Sequence, residues 1–115
     1  MLSTYLRLVA TDVLNKVSST SVLYSWSKKL SQKMLEWADN IKQAIYKHGV
    51  VGRGGKQVFA YEVDGMGNYK VMDDANLPSL LSLSYLKFVD INDELYKNTR
   101  EFVLSERDYY FFAFG

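Results

Sequence analysis

The chain has 115 residues, the length of one domain, and its 48% apolar and 23% charged content excludes a disordered polymer. A formal net charge of +1, with no basic block beyond the Lys28–Lys29 pair, excludes a field that draws nucleic acid or an anionic membrane. The absence of cysteine excludes disulfides and thiolate metal sites, and the single histidine, His48, leaves no histidine-built metal site to expect.

At the N-terminus, Leu2, Tyr5, Leu6, Val9, Val13 and Val17 recur at three- and four-residue steps, which predicts one apolar helix face. Thr4, Arg7, Thr11 and Asp12 interrupt the apolar run, so neither a signal peptide nor a membrane span is expected. Ser18-Ser19-Thr20-Ser21 competes with helical bonding and can cap the next helix. That longer helix is predicted from about Val22 to Lys47, with Leu23, Trp26, Leu30, Met34, Trp37, Ala38, Ile41 and Ile45 as its apolar stripe. Lys47 and His48 suit its C-terminus, and Gly49 suits a left-handed residue beyond it.

After Gly49 the period changes. Gly52-Arg53-Gly54-Gly55 reads as a flexible loop without the Lys-Ser/Thr pair or following helix of a phosphate loop. Gln57–Asp64 reads as a strand, Gly65-Met66-Gly67-Asn68 as a turn, and Tyr69–Met72 as a returning strand. Asp73-Asp74-Ala75-Asn76-Leu77-Pro78 reads as a helix entrance, with Asn76 able to cap and Pro78 tolerated in the first turn. A helix is expected from Pro78 to about Phe88, apolar on several sides and therefore in need of protein on more than one face. Asp90–Asp93 breaks it, and Asn92 or Asp93 opens a last helix reaching Leu104. The tail Tyr109–Phe114 is apolar, which is unusual for an exposed terminus. The pattern as a whole predicts a mainly α chain with a small β-hairpin.

Chemistry concentrates between Glu62 and Asn76, where four carboxylates and two asparagines sit on loops. Carboxylates accept paired hydrogen bonds from vicinal hydroxyls and amides both donate and accept, so such loops suit sugar binding. Two carboxyl groups also suffice for acid and base in glycoside hydrolysis, although the adjacent Asp73 and Asp74 should point apart. The competing reading is turn and cap chemistry for Asp64, Asn68, Asp73 and Asn76. Nine Tyr, six Phe and two Trp fit either a ring-rich core or stacking on sugar faces.

Two runs carry a resemblance to a known family: Phe59-Ala60-Tyr61-Glu62-Val63-Asp64-Gly65-Met66-Gly67-Asn68 and Met72-Asp73-Asp74-Ala75-Asn76-Leu77-Pro78-Ser79-Leu80-Leu81-Ser82-Leu83. They resemble glycoside hydrolase family 125, the metal-independent exo-α-1,6-mannosidases, and Asp93–Ser105 is similar to that family's next segment. The match covers roughly residues 40–112, and the N-terminal helices agree in period more than in identity. The resemblance implies part of an (α/α)6 toroid, with residues 1–115 as a fragment of that single domain. It implies an α-mannoside glycan as partner, no cofactor and no metal. It further implies an inverting mechanism, with acid and base in segments that do not occur here, one of them of Arg-Pro-Ser-Asp-Asp-Ala type. By position, Glu62, Asp64, Asn68, Asp73, Asp74 and Asn76 are then the candidates for contacts to substrate hydroxyls, and no catalytic residue is assigned. Ser84 and Arg107-Asp108 depart from the family pattern of Pro and Asn-Pro. The expected outcome is a partial hydrolase, inactive alone, whose unpartnered helices leave apolar faces in water. The alternatives are a non-catalytic carbohydrate-binding or interaction module and a truncated product without independent function.

Overall fold

The computed structural model describes residues 1–74 and 76–105. Ala75, Arg107-Asp108 and the apolar tail Tyr109–Phe114 lie outside the described residues. The chain is mainly helical with a small antiparallel sheet component, and it divides into two compact units, Met1–Ala44 and Ile45–Gly115. No described helix is long and apolar enough to cross a membrane.

In the first unit, the expected N-terminal helix is present but changes pitch twice. Helix α1 spans Leu2–Leu8, a π-helical turn follows over Val9–Val13, and a 3-10 turn over Leu14–Lys16. The change begins beside Thr11, whose hydroxyl donates to the Arg7 carbonyl at 2.9 Å and competes for the helical acceptor. Val17 is extended, and the Ser21 hydroxyl then accepts the Leu23 N–H at 3.2 Å at the entrance to α2, Tyr24–His48.

The buried face of these helices agrees in part with the one their apolar period predicts: Ala38 is buried and Leu6, Val9, Leu30, Met34, Ile41 and Ile45 are half-buried. Ser3, Thr4, Ala10 and Leu14 are buried, whereas Leu2, Tyr5, Leu8 and Val13 are exposed. On α2 the buried residues are Ser27, Ser31 and Ala38, whereas Trp26 and Trp37, and Leu23 just before the helix, are exposed. Small side chains let backbones approach closely enough for hydroxyls to reach carbonyls. The Ser3 hydroxyl donates to the Ala38 carbonyl at 2.7 Å, and Ser31 donates to Ala10 at 3.1 Å. Arg7 and Asp39 form an ion pair outside this seam. Within the seam the Thr4 hydroxyl is buried without a hydrogen-bond partner.

In the second unit, the helix ends at His48 as expected, but Gly49 is not left-handed. Glycine is required there for space: an added Cβ would stand 2.8 Å from the Ile45 carbonyl oxygen. The Gly-rich stretch expected to be a flexible loop is instead the tip of a hairpin. Strand β1 (Val50–Arg53) pairs antiparallel with β2 (Lys56–Phe59), in the register Val50↔Phe59 to Arg53↔Lys56. Gly54 and Gly55 both take positive φ, 56° and 79°, as a two-residue turn of the primed type demands. The expected strand Gln57–Asp64 is broken at Ala60–Tyr61. Its remainder, β3 (Glu62–Val63), pairs with β4 (Tyr69–Lys70) across the expected turn, so the one expected hairpin is the second of two.

The helix expected from Pro78 to Phe88 is replaced by linked turns. Ser79 and Ser82 bond each other's backbone, with the Ser79 N–H donating to the Ser82 hydroxyl at 2.8 Å and that hydroxyl donating to the Ser79 carbonyl at 2.8 Å. These local bonds replace regular helical ones. A single helical turn survives and closes on Lys87 at φ 58°. Phe88 N–H reaches Leu83 and Lys87 N–H reaches Ser84, the paired bonds of a Schellman ending. Helix α3 runs Glu94–Val103, capped by Asp93, whose carboxylate accepts the Tyr96 N–H at 2.9 Å. Asp93, and not Asn92, is therefore the cap.

The core of this unit consists of Phe59, Leu80, Phe88, Val89, Tyr96 and Val103. The Tyr46 ring meets Phe59 edge-on at 5.6 Å and stacks on Phe88 at 6.2 Å. Thr99, fully buried, bonds α3 to β2: its hydroxyl accepts the Phe59 N–H at 2.9 Å and donates to the Leu95 carbonyl at 2.7 Å. The Tyr96 hydroxyl donates to the Leu81 carbonyl at 2.9 Å and ties α3 to the turn segment.

The two buried threonines predict opposite responses to the same substitution. Thr4→Val removes an unsatisfied hydroxyl at nearly constant volume and should stabilise by about 1 kcal/mol. Thr99→Val strands the buried Phe59 N–H and should destabilise by about 1–3 kcal/mol. Urea unfolding followed by circular dichroism checks both signs.

Candidate functional site

The six candidate residues separate into two groups. Glu62, Asp64 and Asn68 line one open cleft of about 240 Å3 together with Val63, Tyr69 and Lys70. The narrow hairpin makes this possible, because β3 and β4 hold Glu62 opposite Lys70 and Val63 opposite Tyr69. Glu62 and Lys70 form an exposed ion pair at 3.4 Å, a separation that contributes little to stability and leaves both groups able to bind a ligand.

Asp64 is committed to the turn. One carboxylate oxygen accepts the N–H groups of Met66 at 2.7 Å and Asn68 at 3.0 Å, and the other accepts the Asn68 side-chain amide at 2.6 Å. The Asn68 amide, followed by the Met66 N–H, holds the Asp64 carboxyl below its ordinary pKa. Gly65 and Gly67, at φ 75° and 99°, let the chain wrap around that carboxylate.

Asp73, Asp74 and Asn76 do not line the cleft. Asp73 is buried at 6% exposure, and its two oxygens accept the Leu80 N–H at 2.8 Å and the Leu81 N–H at 2.9 Å. It caps the turn segment from within, the role expected of Asn76. Burial pushes the Asp73 carboxyl above its ordinary pKa, against the opposing pull of those N–H groups. Asp74 faces elsewhere, so the neighbours do point apart: it accepts the Tyr61 hydroxyl at 2.8 Å and the Asn76 N–H at 2.9 Å. The Asn76 side chain is exposed.

Three residues of this region escape a reading of the sequence for acids and amides. Tyr61 is half-buried against the core and presents its hydroxyl to Asp74, which raises the phenol pKa. Lys70 neutralises Glu62, and Tyr69 supplies a ring to the cleft. The usable signal is strand register: Lys70 lies opposite Glu62 once the turn is set at Gly65–Asn68. Among the described residues no group of three or more His, Asp or Glu side chains is arranged to hold a metal ion.

Such a cleft offers a carboxylate, an ammonium, an amide and a ring within one hairpin, a set suited to hydroxyl-rich ligands. Comparison with known proteins identifies the family. A family model for metal-independent α-mannosidases (GH125) matches residues 1–114, which extends the similarity through the N-terminal helices. The Meiotically up-regulated gene 157 protein of Schizosaccharomyces pombe is 51% identical over 78 residues, covering 66% of this chain and 15% of that protein. A solved metal-independent α-mannosidase of Streptococcus pneumoniae, in a non-productive complex with α-1,6-mannobiose, superposes with a TM-score of 0.75 at 28% identity. That match covers 96% of this chain and 26% of the solved chain.

The opposed environments of Asp64 and Asp73 are measurable by carboxyl NMR titration. Asp64 should titrate below and Asp73 above the ordinary aspartate value. Because the Asp64 pKa is lowered in the fold, its stabilising contribution is present above the unfolded value and is lost as pH falls through the folded one. Asp73 has the opposite sign: its contribution is full below the unfolded value and is lost as pH rises through the folded one. Asn68→Ala should move Asp64 toward the ordinary value and leave Asp73 in place.

Proposed function

The chain belongs to the metal-independent α-mannosidase family GH125, and from that premise we propose that residues 1–115 supply part of a mannoside-binding site without hydrolysing a glycoside alone. The fold is part of an (α/α)6 toroid, and the chain spans only 26% of the solved mannosidase and 15% of the fission-yeast protein. The observation that carries the reading is the cleft of Glu62, Asp64, Asn68, Tyr69 and Lys70, whose acidic and amide residues lie in the run Phe59–Asn68. The solved relative holds α-1,6-mannobiose, so an α-mannoside is the ligand proposed for this chain.

Within the proposed site Glu62 accepts from vicinal hydroxyls, Lys70 donates, and the Tyr69 ring offers a face to the sugar's apolar side. Asp64 and Asn68 hold the turn in shape, each leaving lone pairs or N–H capacity toward ligand. Asp74 presents its carboxylate beside Tyr61, and Asn76 offers an exposed amide. Asp73 supports the site from below.

Inverting hydrolysis needs a protonated carboxyl at the leaving oxygen and a carboxylate about 6.5–9.5 Å away to activate water. The raised pKa of Asp73 would suit an acid, but its oxygens are directed at Leu80 and Leu81 inside the fold. Asp64 is held ionised by its turn and is poorly suited to give up a proton. Neither supports an acid–base pair within these residues, and this favours a binding contribution over catalysis.

The test combines two readouts on the 115-residue chain. No mannose should be released from α-1,6-mannobiose, while millimolar mannobiose should shift the backbone NMR signals of Glu62–Lys70. Glu62→Gln should weaken that binding about tenfold, the loss of one charge-assisted contact. Released mannose would overturn the inactive reading, and unshifted signals would overturn the binding one.

A further inference from the structure

A second pocket, of about 260 Å3, lies in the second unit between the first hairpin and α3. Arg53, Lys56 and Val58 line it from the hairpin, and Asn98, Glu101 and Phe102 from the helix. Register brings the two sets together. Arg53 is the cross-strand partner of Lys56, so both side chains leave the same face of the ribbon, and Val58, two residues beyond Lys56, shares that face. Asn98, Glu101 and Phe102 stand at i, i+3 and i+4, on one side of α3. Thr99, bonded to the Phe59 N–H, holds helix and hairpin against each other.

Like charges directly opposite each other across a ladder repel, so Arg53 and Lys56 call for an anion beside them. The fold compensates one of the two. Glu101 pairs with Lys56 at 2.7 Å, and among the described residues no carboxylate pairs with Arg53. The pocket thus sets two cations against one carboxylate, next to the Asn98 amide and the Phe102 ring, over a floor that includes the buried Val58. A guanidinium presents a planar fork that matches the edge of a carboxylate or phosphate. An amide and a ring suit the hydroxyls and the apolar face of a sugar. We propose that this pocket is a second ligand site, taking a small acidic sugar whose oxyanion, a phosphate monoester or a carboxylate, sits on Arg53. The cleft at Glu62–Lys70 differs in charge, because the cation lining it, Lys70, is already paired with Glu62. The two sites share no lining residue, so this proposal does not rest on the mannoside one.

The experiment titrates the 115-residue chain with inorganic phosphate, mannose 6-phosphate, glucuronate and neutral mannose, following backbone NMR signals. Millimolar inorganic phosphate should shift the signals of residues 53–58 and 98–102, and an acidic sugar should do so at lower concentration. A response to mannose 6-phosphate alone assigns a phosphate monoester, and one to glucuronate alone assigns a sugar carboxylate. A response to both assigns the oxyanion they share, and each of the three supports the proposal. Arg53→Gln should weaken binding about tenfold, the loss of one bidentate contact. Glu101→Gln should strengthen it, because Lys56 is then released to the ligand. Lys97→Gln removes the same charge from an exposed position outside the pocket and should leave binding intact. Silence toward both acidic sugars, equal shifts with neutral mannose, or equal weakening by Lys97→Gln would overturn the proposal. So would binding that survives Arg53→Gln undiminished. Mannobiose shifts at Glu62–Lys70 that persist in Arg53→Gln keep this result separate from the proposed mannoside site.

Discussion

The second unit is organised around one buried carboxylate. Asp73 accepts two consecutive backbone N–H groups, those of Leu80 and Leu81, and thereby folds the chain after it into a closed loop. Leu80 enters the core beside Phe59 and Phe88, while the Leu81 carbonyl receives the Tyr96 hydroxyl from α3. Thr99 then carries the linkage from α3 to β2. The loop bearing the candidate residues is thus tied to the core by side-chain bonds to backbone groups. Removing the carboxylate would leave the buried Leu80 N–H and the part-buried Leu81 N–H without this acceptor, a larger penalty than the net gain of an ordinary hydrogen bond. Asp74 points outward because its neighbour points inward.

The same economy of space shapes the first unit by different means. Its helices meet through serine and alanine, and hydroxyl-to-carbonyl bonds replace the interdigitation of large side chains. Leu14 is the one large apolar side chain buried there among the described residues, while Tyr5, Trp26 and Trp37 are exposed. The unsatisfied Thr4 hydroxyl is a local cost of that close seam.

At the candidate site, turn chemistry and ligand chemistry are carried by the same residues. Asp64 holds the Gly65–Asn68 turn and so positions Glu62 opposite Lys70 across a hairpin only two residue pairs long. The carboxylates divide by surroundings: Asp64 remains ionised among N–H donors, Asp73 is pressed toward its neutral form by burial, and Glu62 is open to solvent beside a cation. Differences of environment of this kind are how a protein gives like carboxyl groups different tasks.

The sequence by itself determined the family, through the runs Phe59–Asn68 and Met72–Leu83, and the long second helix, whose 3.6-residue period is a local property. It also determined the turn at Gly65–Asn68 and the opening of α3 beside Asp93, since glycine conformations and caps depend on neighbours in the chain. Tertiary structure decided how far each part of the apolar stripe is buried: Ala38 lies inside with Ser27 and Ser31, while Tyr5, Trp26 and Trp37 of the same period are exposed. It decided that Gly54-Gly55 is a hairpin tip and that Leu80–Phe88 is a set of turns, because bonds from Asp73, Ser79 and Ser82 outcompete helix propensity. It also decided that Asp73 is a buried cap while Glu62 is exposed. Both are carboxylates between Glu62 and Asn76, and only the surrounding packing separates them.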